Sequence, residues 1–263
     1  MSVLGFDRHD GKLMWTFFSM NIRDKYLGSS IGSAWAVVNP LIMLGVVTFV
    51  FGYVFKVRLP GAETTLAYAA WLISGYGPWL ATVEAITAAS LSVVASAGLV
   101  KNMPFKTELL PVTAALTGLV PLGVSLGFLA VLLFADGNTL TWHAAFGVVV
   151  AALQFSFIIA LGFFMSAITV FVRDFGFALP NILMAILFAT PIFYPVQSTP
   201  AVMQTISAAN PFYIIAEGYR RSFIYHLAPD AGGLLYVGGL SLALALVGLR
   251  LFRRCKGNFE ARL

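Results

Sequence analysis

Uncharged stretches long enough to cross a lipid bilayer recur along this chain, and they constrain its fold more than any other feature. About 20 apolar residues, each rising 1.5 Å in a helix, cross a hydrocarbon layer roughly 30 Å thick. Leu27 to Phe55, Leu109 to Ala135, Trp142 to Val172, Phe175 to Ala216 and Gly232 to Leu249 contain no Asp, Glu, Lys or Arg, and Leu66 to Val100 contains only Glu84. Composition agrees, since 59% of the 263 residues are hydrophobic and 10% are charged. Ordinary globular chains run at about 45–50% apolar and about 25% charged. The 16 basic and 11 acidic side chains are too few to cover a water-soluble protein of this size. The reading is an all-α, polytopic membrane protein, a single unit over residues 1–263.

Other classes fall away on the same grounds. Cys255 is the only cysteine, so neither an intrachain disulfide nor a cysteine-based zinc site forms. The net charge of +5 fits basic residues flanking membrane spans rather than nucleic-acid binding. The first apolar patch, Leu13 to Met20, is short, lacks a small-residue cleavage site and is followed by Arg23 and Lys25. It is not expected to be a cleaved signal peptide.

The expected spans are 34–55, 66–90, 109–135, 142–172, 175–195 and 232–250. The second bends near Gly75, Gly77 and Pro78. The fifth is the hard one, because Pro180, Pro191, Pro195, Pro200 and Pro211 interrupt its stretch, and proline inside a helix costs about 3 kcal/mol or more. Orientation decides between one span there and two. Six spans in total place twelve of the sixteen Lys and Arg residues on the side of both termini, whereas seven spans split them nine to seven. The Lys/Arg bias therefore favours six, with both termini cytoplasmic. Pro195 to Ala231 then becomes a long external connection of apolar, proline-broken pieces. Such pieces suggest re-entrant or interfacial half-helices.

Leu13, Met14, Phe17, Phe18 and Ile22 recur at helical spacing and fit a helix lying in the cytoplasmic interface. Glu84 has two readings. A carboxylate at a helix centre costs about 2.5–3.5 kcal/mol and so implies a role, whereas a tilted helix brings it to the interface. No basic residue is expected in its zone. His9, His143 and His226 fall at separated positions without metal-ligand spacing. No GxxxxGK[ST] loop, paired carboxylates or nucleophile elbow occurs, so the chain is not read as an enzyme. The aromatics Trp35, Phe49, Phe51, Tyr53, Phe55, Phe188, Phe193 and Tyr194 serve either as an interfacial belt or as faces on which sugar rings stack. Gly28/Gly32 and Gly123/Gly127 permit close helix packing.

Taken in order, several segments are similar to one known family. Arg23-x-x-Tyr26-x-Gly28-Ser29-x-x-Gly32-x-x-Trp35, continuing to Pro40, leads into the first span. Gly77-Pro78-Trp79, Leu99 to Phe105, Leu110-Pro111, Arg173-Asp174, Pro191 to Pro195 and Asn210-Pro211 followed by Arg220 come after it. The chain resembles the type-2 ABC permeases that export polysaccharides and teichoic acids, often called Wzm-type. One departure is Pro104-Phe105, where the family pattern has the reverse order.

The resemblance implies a homodimer that forms the pathway, together with two copies of a cytoplasmic ABC ATPase that bind ATP and Mg²⁺. This chain would bind no cofactor and no nucleic acid. The substrate class implied is a glycan linked to undecaprenyl diphosphate, O-antigen for example, in a bacterial inner membrane. Lys101, Asn102, Met103, Pro104, Phe105 and Lys106 would form the ATPase-coupling helix. Arg23 and Lys25 would attract the lipid diphosphate or simply anchor the cytoplasmic face. Asn210, Pro211, Arg220 and Arg221 would belong to periplasmic gate helices, and the eight aromatics above would line the channel. The competing function on the same fold is export of a small hydrophobic compound, drug or lipid.

Overall fold

The computed structural model describes residues 8–54, 64–103 and 105–263, which leaves Phe55 and Pro104 outside the described residues. The described residues form helices and turns, with no strand among them. In chain order these are α1 (Arg8–Lys25), α2 (Trp35–Thr48), α3 (Thr65–Ala95), α4 (Ala97–Asn102), α5 (Leu109–Ala115), α6 (Leu119–Ala135), α7 (Phe146–Phe171), α8 (Arg173–Ala189), α9 (Ala201–Ala208), α10 (Pro211–Phe223), α11 (Ala231–Lys256) and α12 (Phe259–Arg262). Five helical stretches are long and apolar enough to cross a membrane: Gly32–Val54, Thr65–Ala95, Leu109–Ala135, Trp142–Phe171 and Ala231–Lys256.

Local chemistry sets the helix starts. Thr64 accepts the Ala67 amide at 3.0 Å to open α3, and Asp230 accepts the Gly233 amide at 2.6 Å to open α11. Asn210 accepts the Phe212 amide, and Pro211 takes the first helical position of α10, where its missing N–H costs nothing. The end of the first apolar stretch, Phe49–Val54, is wound as a π-helix.

The core is organised around α3. Every residue from Tyr68 to Trp79 is buried, and α3 packs on α5, α6, α7, α8 and α10. Close approach rests on single glycines. A Cβ at Gly77 would come within 2.5 Å of the Ser125 Cβ on α6, and one at Gly118 would come within 2.6 Å of the Ala81 carbonyl. Small residues do this work in membrane bundles because backbone contact replaces hydrophobic drive. The expected GxxxG pairs do not pack within the chain. Gly123 and Gly127 face open space, while Gly28 and Gly32 occupy positive-φ turns at +82° and +55° that side chains rarely adopt.

The chain differs from the expected map in other places. α3 continues through Pro78 to Ala95, past the expected limit at residue 90. The third stretch is interrupted by a 3-10 turn at Leu116–Gly118. α8 starts two residues early and stops at Ala189, because Pro191 and Pro195 cannot continue it. Among the described residues of the expected coupling segment, α4 ends at Asn102, and Phe105 to Glu108 lie outside any helix before α5 starts at Leu109.

Contacts define the two ends of the bundle. At one end Glu108 meets Arg253 and Lys256, Phe17 meets Phe105, and the Arg173 guanidinium donates to the Arg262 and Leu263 carbonyls. Val93, Val100, Phe163, Phe252 and Phe259 form a separate buried cluster there. At the opposite end Thr64 donates to Asp136, Tyr68 to the Phe193 carbonyl and Trp71 to Tyr225.

Candidate functional site

A cavity of about 880 Å³ opens at the termini end, bounded by α1, α2, α3, α4, α5 and α6. Most of its wall is apolar, and Lys25 and Glu84 bring charge into it. The Lys25 ammonium donates to both Glu84 carboxylate oxygens at 2.6 Å. This corrects the expectation that Glu84 has no basic partner, because α1 packs on α5 and its last turn brings Lys25 to Glu84 across a sequence separation of 59. Glu84 stands well along α3, beyond its middle. It lies 19 residues beyond Thr65, about 29 Å at 1.5 Å per residue, close to one hydrocarbon thickness of roughly 30 Å. The carboxylate therefore stands about one hydrocarbon thickness from the start of α3, with about 16 Å of the helix beyond it. Arg23 is exposed at the end of α1 and takes no part in the cavity wall.

Below the cavity the segment expected to couple divides in two. Lys101, Asn102 and Met103 are exposed, and the Asn102 side chain donates back to the Gly98 carbonyl at 2.8 Å. Phe105 turns inward onto Phe17, with ring centroids 5.6 Å apart, and Lys106 is half-buried. Glu108 anchors the segment from behind, accepting from Arg253 at 3.2 Å and Lys256 at 3.3 Å. Burial opposes ionisation of this carboxyl. Its own backbone N–H, the Lys256 charge and the hydrogen bonds from Lys256 and Arg253 outweigh that, and hold it below its usual range.

The expected aromatics separate into three groups. Phe51, Phe188 and Phe193 meet at the opposite end: Phe51 stacks on Phe193 at 4.9 Å, and Phe188 lies 5.9 Å from Phe193. Tyr76 joins them from α3 at 5.4 Å, and the Tyr194 hydroxyl donates to the Phe188 carbonyl. Phe49 and Tyr53 stack on each other and remain exposed, at 58% and 68%. Trp35 opens α2, about 20 Å along the helix from Phe49, so it is not part of that group.

The residues expected in gate helices lie on or beside α10 with specific partners. Asn210 caps it and donates to the Thr190 hydroxyl at 2.9 Å. Arg221 donates to the Ala228 carbonyl at 2.9 Å. Arg220 is buried, 1% exposed, and donates to the carbonyls of Pro191 at 3.2 Å and Ile192 at 2.6 Å. Its guanidinium lies over Trp71, and Glu217 stands 3.5 Å away. The prolines that end α8 thus free the carbonyls that Arg220 occupies.

Sequence reasoning missed a buried polar knot at the centre. Gln154 on α7 donates to the Pro78 carbonyl at 2.8 Å and the Thr82 hydroxyl at 3.0 Å, and accepts from Tyr219 on α10 at 2.8 Å. A lone amide inside an otherwise apolar span was the available signal. The histidines are also less scattered than their spacing suggests, since His143 and His226 both contact the Thr141 hydroxyl. No group of three metal-ligating side chains occurs among the described residues.

Residues 12–224 match the family described as ABC-2 type transporter. Over 249 residues the chain is 25% identical to the O-antigen export system permease protein RfbA of Myxococcus xanthus, covering 94% of each chain. It is likewise 25% identical to a protein of the same name from Klebsiella pneumoniae, covering 94% of this chain and 93% of that one.

Proposed function

The chain belongs to the ABC-2 type transporter family, and from that premise we propose that it is the permease of an ATP-driven exporter carrying a lipid-linked surface glycan across the inner membrane. The observation that carries this reading is the end-to-end similarity to O-antigen export permeases. Two copies of the chain enclose the path. A separate ATPase binds ATP and Mg²⁺ and supplies the work, since this sequence contains no phosphate-binding loop.

Parity supports six crossings and a common side for both termini. α1 and the end of α11 meet the same short segment, through Phe17–Phe105 and through Glu108 with Arg253 and Lys256. On this reading the chain crosses an even number of times, with α8 as the sixth crossing beside the five long apolar stretches. Arg173 at its start touches Leu263, whereas Phe193 just beyond its end stacks on Phe51. The basic termini end faces the cytosol.

On this orientation Lys101, Asn102, Met103 and Lys106 meet the ATPase, and Phe105 passes the displacement to α1. Arg23, exposed at the end of α1, stands where the undecaprenyl diphosphate head arrives, whereas Lys25 is held by Glu84 and anchors α1. Short α9 and α10 form the periplasmic gate, held by Asn210 and Arg220. Phe188, 57% exposed beside the Phe51–Phe193 stack, offers an aromatic face near the exit, where stacking on successive sugar rings is only weakly site-specific.

The experiment is co-purification from the native membrane in mild detergent, followed by reconstitution. An ABC ATPase should accompany the chain, and ATP-dependent transfer of lipid-linked glycan should require both proteins. Recovery of no ATPase, or glycan transfer by the permease alone, would defeat the reading.

A further inference from the structure

We propose that the cavity beside Lys25 and Glu84 binds one phospholipid of the surrounding bilayer whose headgroup carries both a phosphate and a primary ammonium, as in phosphatidylethanolamine. The cavity's volume of about 880 Å³ lies within the roughly 300–1,000 Å³ typical of sites for small organic ligands. Its apolar lining, with Met20, Met43, Leu80, Val83, Leu110 and Val120, suits an acyl chain. On the orientation proposed above, with the start of α3 at the periplasmic boundary, Glu84 and Lys25 fall about one hydrocarbon thickness away, at the level where a phospholipid of the inner leaflet presents its headgroup.

Charge selects the headgroup. Lys25 and Glu84 neutralise each other, and their side chains remain 44% and 29% accessible, so the pair is open to exchange. Asp24 also lines the cavity, which gives its three charged side chains, Asp24, Lys25 and Glu84, a net negative charge. An anionic headgroup that captured Lys25 would strand Glu84 and Asp24 beside further negative charge. A purely cationic one would strand Lys25. A zwitterion exchanges partners with both sides at once: its phosphate accepts from Lys25, and its ammonium donates to Glu84. Asn21 and Asn39 supply neutral hydrogen-bonding groups on the same wall. The acceptor requirement of the carboxylate favours an ammonium bearing N–H groups over a quaternary one.

Native mass spectrometry of the full-length protein in mild detergent tests this inference with equimolar phosphatidylethanolamine, phosphatidylglycerol and phosphatidylcholine of matched chains. The wild type should retain phosphatidylethanolamine at least about tenfold over the other two, the worth of one charge-assisted hydrogen bond. Glu84→Gln and Lys25→Gln should each reduce that preference to within about twofold. Ala88→Trp, which fills the cavity, should remove the retained lipid while the gel-filtration profile stays unchanged. Equal or stronger retention of phosphatidylglycerol by the wild type overturns the proposal, as does a preference that survives both charge variants. The glycan-export reading stands or falls separately, on ATPase co-purification.

Discussion

The guanidinium of Arg220 lies 3.9 Å from the ring centroid of Trp71, in a space that exists only because residue 75 is glycine. A Cβ at Gly75 would stand 2.7 Å from the Arg220 Nη2. Gly75→Ala should therefore displace the guanidinium and lower stability by about 1–3 kcal/mol, the usual cost of overpacking. Arg220→Lys should lower it too, since a point-like ammonium cannot span the Pro191 and Ile192 carbonyls as the planar fork does. Thermal unfolding in detergent measures both. Unchanged midpoints would mean that α10 is held to α8 and α3 by something other than this arginine.

Gln154 joins three helices through one amide, so its replacement should cost more than loss of any single partner. Gln154→Leu leaves the Tyr219 hydroxyl without its acceptor and withdraws a donor from the Pro78 carbonyl and Thr82. A buried polar group left unpaired costs about 1–3 kcal/mol. Tyr219→Phe removes one hydrogen bond and leaves only the Gln154 oxygen unpaired. The expected order of melting temperatures is wild type, then Tyr219→Phe, then Gln154→Leu. The reverse order of the two variants would show that Tyr219 and not Gln154 is the hub.

Hydropathy made the five long apolar helices legible, because bilayer thickness fixes their length and the lack of charge fixes their place. The proline-rich stretch was legible in outline only. Pro191 and Pro195 announce the end of α8, but nothing in a linear pattern says that Arg220 returns to the carbonyls beside them. Lys25–Glu84 and Glu108–Arg253 are invisible for the same reason, since their partners lie 59 and 145 residues apart and no local periodicity encodes the pairing. The glycine motif misled because spacing alone does not say which glycine meets a neighbour. Gly77 and Gly118 do so without forming the pattern. The aromatics were identified as a class, but among the described ones Phe51, Phe188 and Phe193 converge with Tyr194 beside them, whereas Trp35, Phe49 and Tyr53 sit at other levels or faces of their helices.

Glu108 gives the termini end a defined response to acid. Its folded-state pKa lies below the usual 4.5, so the unfolded chain binds its proton more readily. Stability from this group is fully present above about pH 4.5 and is lost as pH falls through the depressed folded value. Glu108→Gln should flatten the acid limb of a stability-against-pH curve while lowering the plateau near neutrality, where the ion pairs with Arg253 and Lys256 are lost. An acid limb identical to that of the wild type would show that other carboxylates control it.

The two faces of the segment after α4 should separate export from folding. Lys101 and Met103 are exposed, whereas Phe105 packs on Phe17. Charge reversal at exposed Lys101 should leave insertion and the melting temperature close to wild type, and reversal at Lys101 and Lys106 together should uncouple ATP hydrolysis by the partner from glycan transfer. Phe105→Ala should act differently, lowering the melting temperature by loss of a half-buried aromatic contact and loosening α1 from the segment. Measuring ATPase rate, glycan transfer and unfolding on the same reconstituted samples distinguishes the two effects. Export that survives charge reversal at both lysines would place the ATPase contact elsewhere on the termini end, with the basic residues at the close of α11 as the next surface to reverse.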